Sequence, residues 1–341
     1  MDKGQLSLRF KNFAENECRG SSKLYEFLSL SISDDDQILE LCAEAQDGQP
    51  VPNLLFGAVH YLLLNGKEHI LKEYYPSITR NPRKIKEAFF HFKSFCEIYK
   101  NEIVVILKNK LVQTNEVRRC AYLYPIFCYI YGRVEKPLSL VEIGTSAGLQ
   151  LLWDKYSYSY GTNETYGDTY SNVHITSEIR GDKIPLFLQQ NPPIASKIGL
   201  DIHTNDLRNS EDYLWLKGLI WPEHQERLDL FESAVKMMRE NPVELVEGDG
   251  VALLTNVVKK LPKGTAICIF HTHVANQMPE ESRYELVEKI KEIGSTNDVF
   301  HIYNNMWDRN LHLDYYIKGV EHRGIIGETD GHGRWFEWNL D

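Results

Sequence analysis

The chain has no Cys-x-x-Cys pair, no apolar run of membrane-spanning length, no excess of positive charge and no internal repeat. Each absence removes a class of protein. The six cysteines (Cys18, Cys42, Cys96, Cys120, Cys128, Cys268) are scattered, most of them inside apolar stretches. That pattern indicates buried thiols in a reducing compartment, not a disulfide framework or a zinc site. The most apolar window, 54–64, is about half of the roughly 20 residues a bilayer requires, and it contains His60. Lys and Arg number 38 against 48 Asp and Glu, a net charge of −10. Such a surface repels phosphate backbones and anionic membranes. The one concentrated basic stretch, residues 80–86 (Arg-Asn-Pro-Arg-Lys-Ile-Lys), reads as the solvated start of a helix. The opening Met-Asp-Lys-Gly-Gln carries no apolar leader. A cytoplasmic protein with neither a nucleic-acid nor a membrane partner is therefore expected.

What is present is the composition of a folded globular chain: 341 residues, 43% hydrophobic and 25% charged, long enough for about two domains. The periodicity changes near Glu135-Lys136-Pro137. Before it, apolar residues recur at helical spacing. Ser33-Asp34-Asp35-Asp36 supplies caps ahead of Ile38 and Leu39, Pro52-Asn53 opens an all-apolar run, and Pro82 precedes Ile85, Phe89, Phe92, Cys96 and Tyr99. Stretches 102–111 and 116–131 follow, the latter with a kink expected at Pro125. After the change, short β-branched runs at 138–143, 195–202, 243–246, 266–270 and 299–303 alternate with amphipathic helices, as in parallel βαβ units. One helix is expected to start at Pro222 and another to end at Gly294. Residues 324–338 read as a hairpin closing the sheet, and 156–185, rich in Tyr, Ser, Asn, Thr and Gly, as an excursion from the core. The expected architecture is an all-α region of residues 1–135 followed by an α/β domain of residues 136–341.

The most informative segment is Glu142-Ile143-Gly144-Thr145-Ser146-Ala147-Gly148, where an apolar strand ends in an acid and a small-residue turn leads toward a helix. Glycines there let a backbone approach a ligand, and a helix N-terminus offers N–H groups. A plain strand-to-helix turn is the simplest alternative. A dinucleotide fingerprint requires glycines where this chain has Ser146 and Leu149. Gly144-Thr145-Ser146-Ala147-Gly148 also satisfies G-x-S-x-G, the nucleophile elbow of serine hydrolases, with His271, His273 and His301 downstream. An elbow, however, follows several strands of the same sheet, and residues 1–135 supply helices. The segment also resembles the first motif of Rossmann-like S-adenosylmethionine-dependent methyltransferases, which Glu142, Gly144 and Gly148 match while Ser146 replaces a common glycine.

Together with this turn, Gln113-Thr114-Asn115-Glu116-Val117-Arg118-Arg119, Asp154-Lys155-Tyr156 and Trp221-Pro222-Glu223-His224-Gln225-Glu226-Arg227 resemble an uncharacterised bacterial family, domain of unknown function 2332, over nearly the whole chain. The resemblance implies a methyltransferase-like Rossmann sheet with helices on both faces, S-adenosylmethionine as cofactor and an unidentified, small-molecule or other, acceptor. A ligand-binding protein that keeps this fold without the chemistry is the alternative.

On that reading the cofactor residues are Glu142, Gly144, Ser146, Gly148, Asp201 (with Glu178 a weaker candidate for the ribose hydroxyls), Asp249 and Gly250. Asp201 reads equally as a cap or turn acid, and Gly248-Asp249-Gly250 as a plain turn. The catalytic candidates are His271 and His273, whose His-x-His spacing on a strand points both rings to one face, and Asn115 and Glu116 at a helix start beside Arg119. With no third ligand in view, no metal is expected. Satisfied structural histidines, a solvated helix start and packed aromatics (Trp153, Tyr156, Tyr158, Tyr160) are the corresponding structural readings.

Overall fold

The computed structural model describes residues 2–341. Contacts divide the chain into two units, one running to Thr114 and including Arg208–Asp229, the other made of Asn115–Leu207 and Leu230–Asp341.

The first unit is helical. Asp2, Ser22, Asp35 and Asn209 each cap a helix by accepting backbone N–H bonds, which start Lys3–Phe13, Lys23–Ser33, Asp36–Cys42 and Ser210–Gly218. Val51–Leu64 is buried almost all round, so it forms the centre, with Phe56 stacked on Tyr25 at 4.2 Å. His60 lies inside it, its two ring nitrogens engaged by Gly218 O at 2.9 Å and Ser77 Oγ at 2.8 Å. Burial holds its pKa down to about 4. The helix expected from Pro82 begins at Ala88 after a 3₁₀ turn, and the one expected from Pro222 begins at Gln225. The Trp221–Arg227 motif serves this unit: Trp221 packs edge-on to Phe13 and Tyr25, while Glu223 accepts from Leu24 N and Ser22 Oγ at a helix start.

The second unit holds a seven-stranded sheet: β1 (Leu138–Ile143), β2 (Ile194–Asp201), β3 (Glu244–Glu247), β4 (Ala266–His271), β5 (Val299–Tyr303), β6 (Leu311–Ile317) and β7 (Val320–Gly327). Their spatial order is β7-β6-β5-β4-β1-β2-β3. β1 to β5 are parallel, and β6 and β7 add an antiparallel hairpin at the edge. All six residues of β1 are buried, as a central parallel strand requires. Register aligns Val141 with Ile198 and Ile269 on one face, where Leu254, Val257, Leu286 and Ile290 of helices Gly250–Val258 and Glu280–Gly294 complete the core. Glu142 and Phe270 point to the other face, where Phe270 meets Phe127 of helix Cys120–Val134. That helix, grouped with the amino-terminal region by its periodicity, packs within this unit and runs through Pro125.

Three expectations are refined. The hairpin at the sheet edge is β6–β7, and the chain also folds back on itself as expected beyond Gly327, with Thr329 bridging Phe336 in antiparallel fashion and Glu337 N donating to Glu328 O; Trp335–Glu337 pairs in addition, in parallel, with Glu178–Arg180 in a separate sheet. The helix after the glycine turn is a 3₁₀ helix, Leu149–Lys155, nearly all of it buried. The tyrosine-rich excursion starts in the core, where Tyr156, Tyr158 and Tyr160 are buried and their hydroxyls donate to the Leu149, Trp153 and Ala121 carbonyls, and then leaves it, most of residues 161–185 being exposed. Among the described residues, no helix is long and apolar enough to cross a membrane.

Candidate functional site

The turn after β1 is built on left-handed backbone at Gly144 (φ 73°), Ser146 (φ 51°) and Gly148 (φ 76°). Gly144 and Thr145 donate their N–H groups to Leu200 O, and Ser146 N donates to Asp201 Oδ2 at 2.6 Å. The turn is thereby laced to the end of β2. A Cβ at Gly144 would lie 2.3 Å from Val274 Cγ2, and one at Gly148 would lie 2.8 Å from Val243 Cγ2. Both glycines are packed closely against the protein's own side chains, so neither position accommodates a Cβ.

Glu142 ends β1 as a buried carboxyl that accepts from Thr145 Oγ1 at 2.6 Å. Burial pushes its pKa up to about 8; the Asp201 charge adds to the rise, while the Thr145 bond and Arg119 oppose it. Asp201 stands at the end of β2, taking Ser146 N on one oxygen and His203 N on the other. Asp249 stands just beyond β3 and caps the next helix by accepting from Val251 N at 2.8 Å and Ala252 N at 3.1 Å. A Cβ on Gly250 would meet Ile143 Cγ2 at 2.9 Å, so this glycine too is a packing position. Glu178 is exposed on the separate two-stranded sheet, paired with Arg180.

A dense polar cluster covers the carboxyl ends of β1, β4 and β5. Ser146 Oγ accepts from Asn115 Nδ2 and, at 3.1 Å, from Asn205 Nδ2. Arg119 donates to Thr272 O and Oγ1 at 3.2 and 3.3 Å and to Gly331 O at 3.0 Å; Gln150 reaches the Thr272 hydroxyl at 3.1 Å. Glu116, buried, accepts from His332 Nδ1 at 3.0 Å. Beyond β4, His273 N donates to Asn304 Oδ1 at 2.8 Å, and Asn305 Nδ2 lies 3.0 Å from His273 Nδ1. Ser146, His273 (φ 57°) and Asn305 (φ 55°) are non-glycine residues in the left-handed region, and each follows the end of one of three adjacent strands. Strain of this kind persists only where surrounding contacts enforce it, and it gathers at functional sites.

Asn115, Glu116, Ser146 and His273 thus share one cluster, and His271 does not. β4 ends at His271, so the two rings never share a strand face. His271 is fully buried, its Nε2 3.0 Å from His301 Nε2 and its ring stacked on Tyr303. Burial holds its pKa down to about 4, and it is a core residue. For His273, burial, aided by Arg119 and His332, lowers the value to about 3. Among the described residues, the partners of Ser146 Oγ are the carboxamides of Asn115 and Asn205 and not an imidazole. Among the described residues, no group of three or more His, Cys, Asp and Glu could hold a metal ion. Asn205, Thr272, Asn305 and His332 escaped sequence reasoning; only the Asp-Gly-His-Gly run 330–333 offered a local signal. Gly333 is required there because a Cβ would fall 2.7 Å from Arg118 O.

The fold and site define a mostly parallel α/β protein with a polar site at the carboxyl edge of its sheet. The family model described as an uncharacterized protein conserved in bacteria (DUF2332) matches residues 7–338, and the chain belongs to that family. No curated protein and no solved structure matches it.

Proposed function

We propose that the protein is an S-adenosylmethionine-dependent methyltransferase whose second unit is a Rossmann-like domain. The observation that carries this reading is the order of the parallel strands, 3-2-1-4-5, which reverses at β1 beside the glycine turn. In doubly wound sheets ligands bind at the carboxyl ends of the strands at that reversal. The set of acceptors is chemically suited to an adenosyl group. Carboxylates at the ends of β2 and β3, Asp201 and Asp249, are what ribose hydroxyls and an exocyclic amine require, and Asp249 is exposed with only Oδ1 engaged by its cap. Asp201, Asp249 and the turn backbone would hold the cofactor, and the tight packing at Gly144 and Gly148 keeps that turn in shape.

When bound, S-adenosylmethionine supplies a methyl group on a sulfonium for in-line displacement. The chain's contribution is to position the acceptor and handle its proton. Glu116 accepts from His332 Nδ1 and so orients that ring at the site. The packed groups around it, Arg119, Thr272 and Gln150, keep the site rigid.

The reading is tested by thermal unfolding with S-adenosylmethionine or its demethylated product. At about 100 times the dissociation constant a ligand adds roughly 2.7 kcal/mol, a measurable rise in Tm. Asp249→Ser, which retains a capping oxygen and removes the carboxylate, should reduce that rise. No rise with either compound on folded protein would defeat the proposal.

A further inference from the structure

The partners of His273 decide which way its ring works. Its Nδ1 faces a carboxamide nitrogen, Asn305 Nδ2, at 3.0 Å. An amide N–H₂ can only donate, so Nδ1 is the acceptor and the ring proton resides on Nε2. Nε2 is buried with no hydrogen-bond partner among the described residues. The backbone that carries the ring is fixed as well: its N–H donates to Asn304 Oδ1, its carbonyl accepts from Gln277 Nε2 at 3.3 Å, and His273 and Asn305 both adopt left-handed backbone. The charged and titratable groups around it are Arg119, His332 and Asp330, two of which disfavour an imidazolium while Asp330 favours one. A buried donor left without a partner is costly, and at the carboxyl edge of the sheet a bound ligand can supply the missing acceptor.

We infer that His273 is a fixed, neutral hydrogen-bond donor, its Nε2–H binding a carboxylate or carbonyl oxygen of the ligand that enters this cluster. It is therefore a binding residue and not the general base that its position after β4 suggests. This assignment depends on Asn305 and not on which cofactor binds at the glycine turn.

The test is nuclear magnetic resonance of the full chain labelled with ring-¹⁵N histidine, with the His273 signals identified by their loss in His273→Gln. The expected spectrum has a protonated Nε2 and an unprotonated Nδ1, unchanged from about pH 5 to about pH 8. Asn305→Asp replaces the donor by an acceptor, so the proton should move to Nδ1 and the ring should begin to titrate. Formate, the smallest carboxylate, should move the wild-type Nε2–H signal saturably, and chloride at equal ionic strength should not. An Nδ1–H tautomer in the wild type, a titration within the window or no saturable response to formate would each overturn the assignment. None of these outcomes depends on S-adenosylmethionine, whose failure to bind would be read separately from the thermal shift.

Discussion

His332 Nδ1 lies 3.0 Å from Oε2 of Glu116, a carboxylate only 2% exposed although its histidine partner is more than a third exposed. The pair joins the start of helix Cys120–Val134 to the loop after β7, two segments 216 residues apart. The buried member needs the bond more than the exposed one does.

Glu116→Ala should therefore lower the unfolding free energy by about 2 kcal/mol, the usual scale for a hydrogen bond to a charged group, and Glu116→Gln by less because an acceptor oxygen survives. Urea unfolding of the two variants measures the difference. A loss below about 0.5 kcal/mol for Ala would show that the pair is ornamental.

Glu142 makes stability depend on pH in a defined direction. Its folded pKa, about 8, lies above the ordinary 4.5, so between those values the folded chain holds a proton that the unfolded chain has lost. Its contribution is whole below about pH 4.5 and is lost as pH rises toward 8, with a slope of at most about 1.4 kcal/mol per pH unit. Glu142→Gln keeps an acceptor for Thr145 Oγ1 and should flatten the decline between about pH 5 and pH 8. Parallel pH profiles for variant and wild type would refute the assignment.

Gly144→Ala combines two costs. The residue has φ 73°, and the new Cβ would lie 2.3 Å from Val274 Cγ2 and 2.8 Å from Cγ1. Left-handed backbone costs about 1–2 kcal/mol for a residue with a Cβ, and overpacking about 1–3 kcal/mol more. A double variant with Val274→Ala should recover the packing part and leave the backbone part. If the single and double variants unfold alike, Val274 does not fill the space beside Gly144.

How much of this was legible in the sequence follows from which forces act locally. The five parallel strands are set by apolar β-branched runs between helical spacings, a pattern residues express with their neighbours, and the structure has strands within a residue or so of each expected position. Caps at Asp35 and the helix end at Gly294 were legible for the same reason. The composition likewise set the folded, anionic character of the chain and the burial of all six thiols.

The site was legible only in part. Glu142, Ser146 and the Asn115-Glu116 pair stand in motifs, but what each one touches is non-local: Asn205 reaches Ser146 across 59 residues and His332 reaches Glu116 across 216. Spacing says nothing about such pairs. The face taken by His273 was misjudged because strand alternation holds only while the strand continues, and β4 ends one turn of pleat too soon. Beyond it the left-handed backbone, which a histidine adopts only when its surroundings impose it, sends the ring to Asn305. Local chemistry determined the strands, the caps and the candidate residues. Tertiary packing decided which of those candidates meet, and with them which nitrogen of His273 carries the proton.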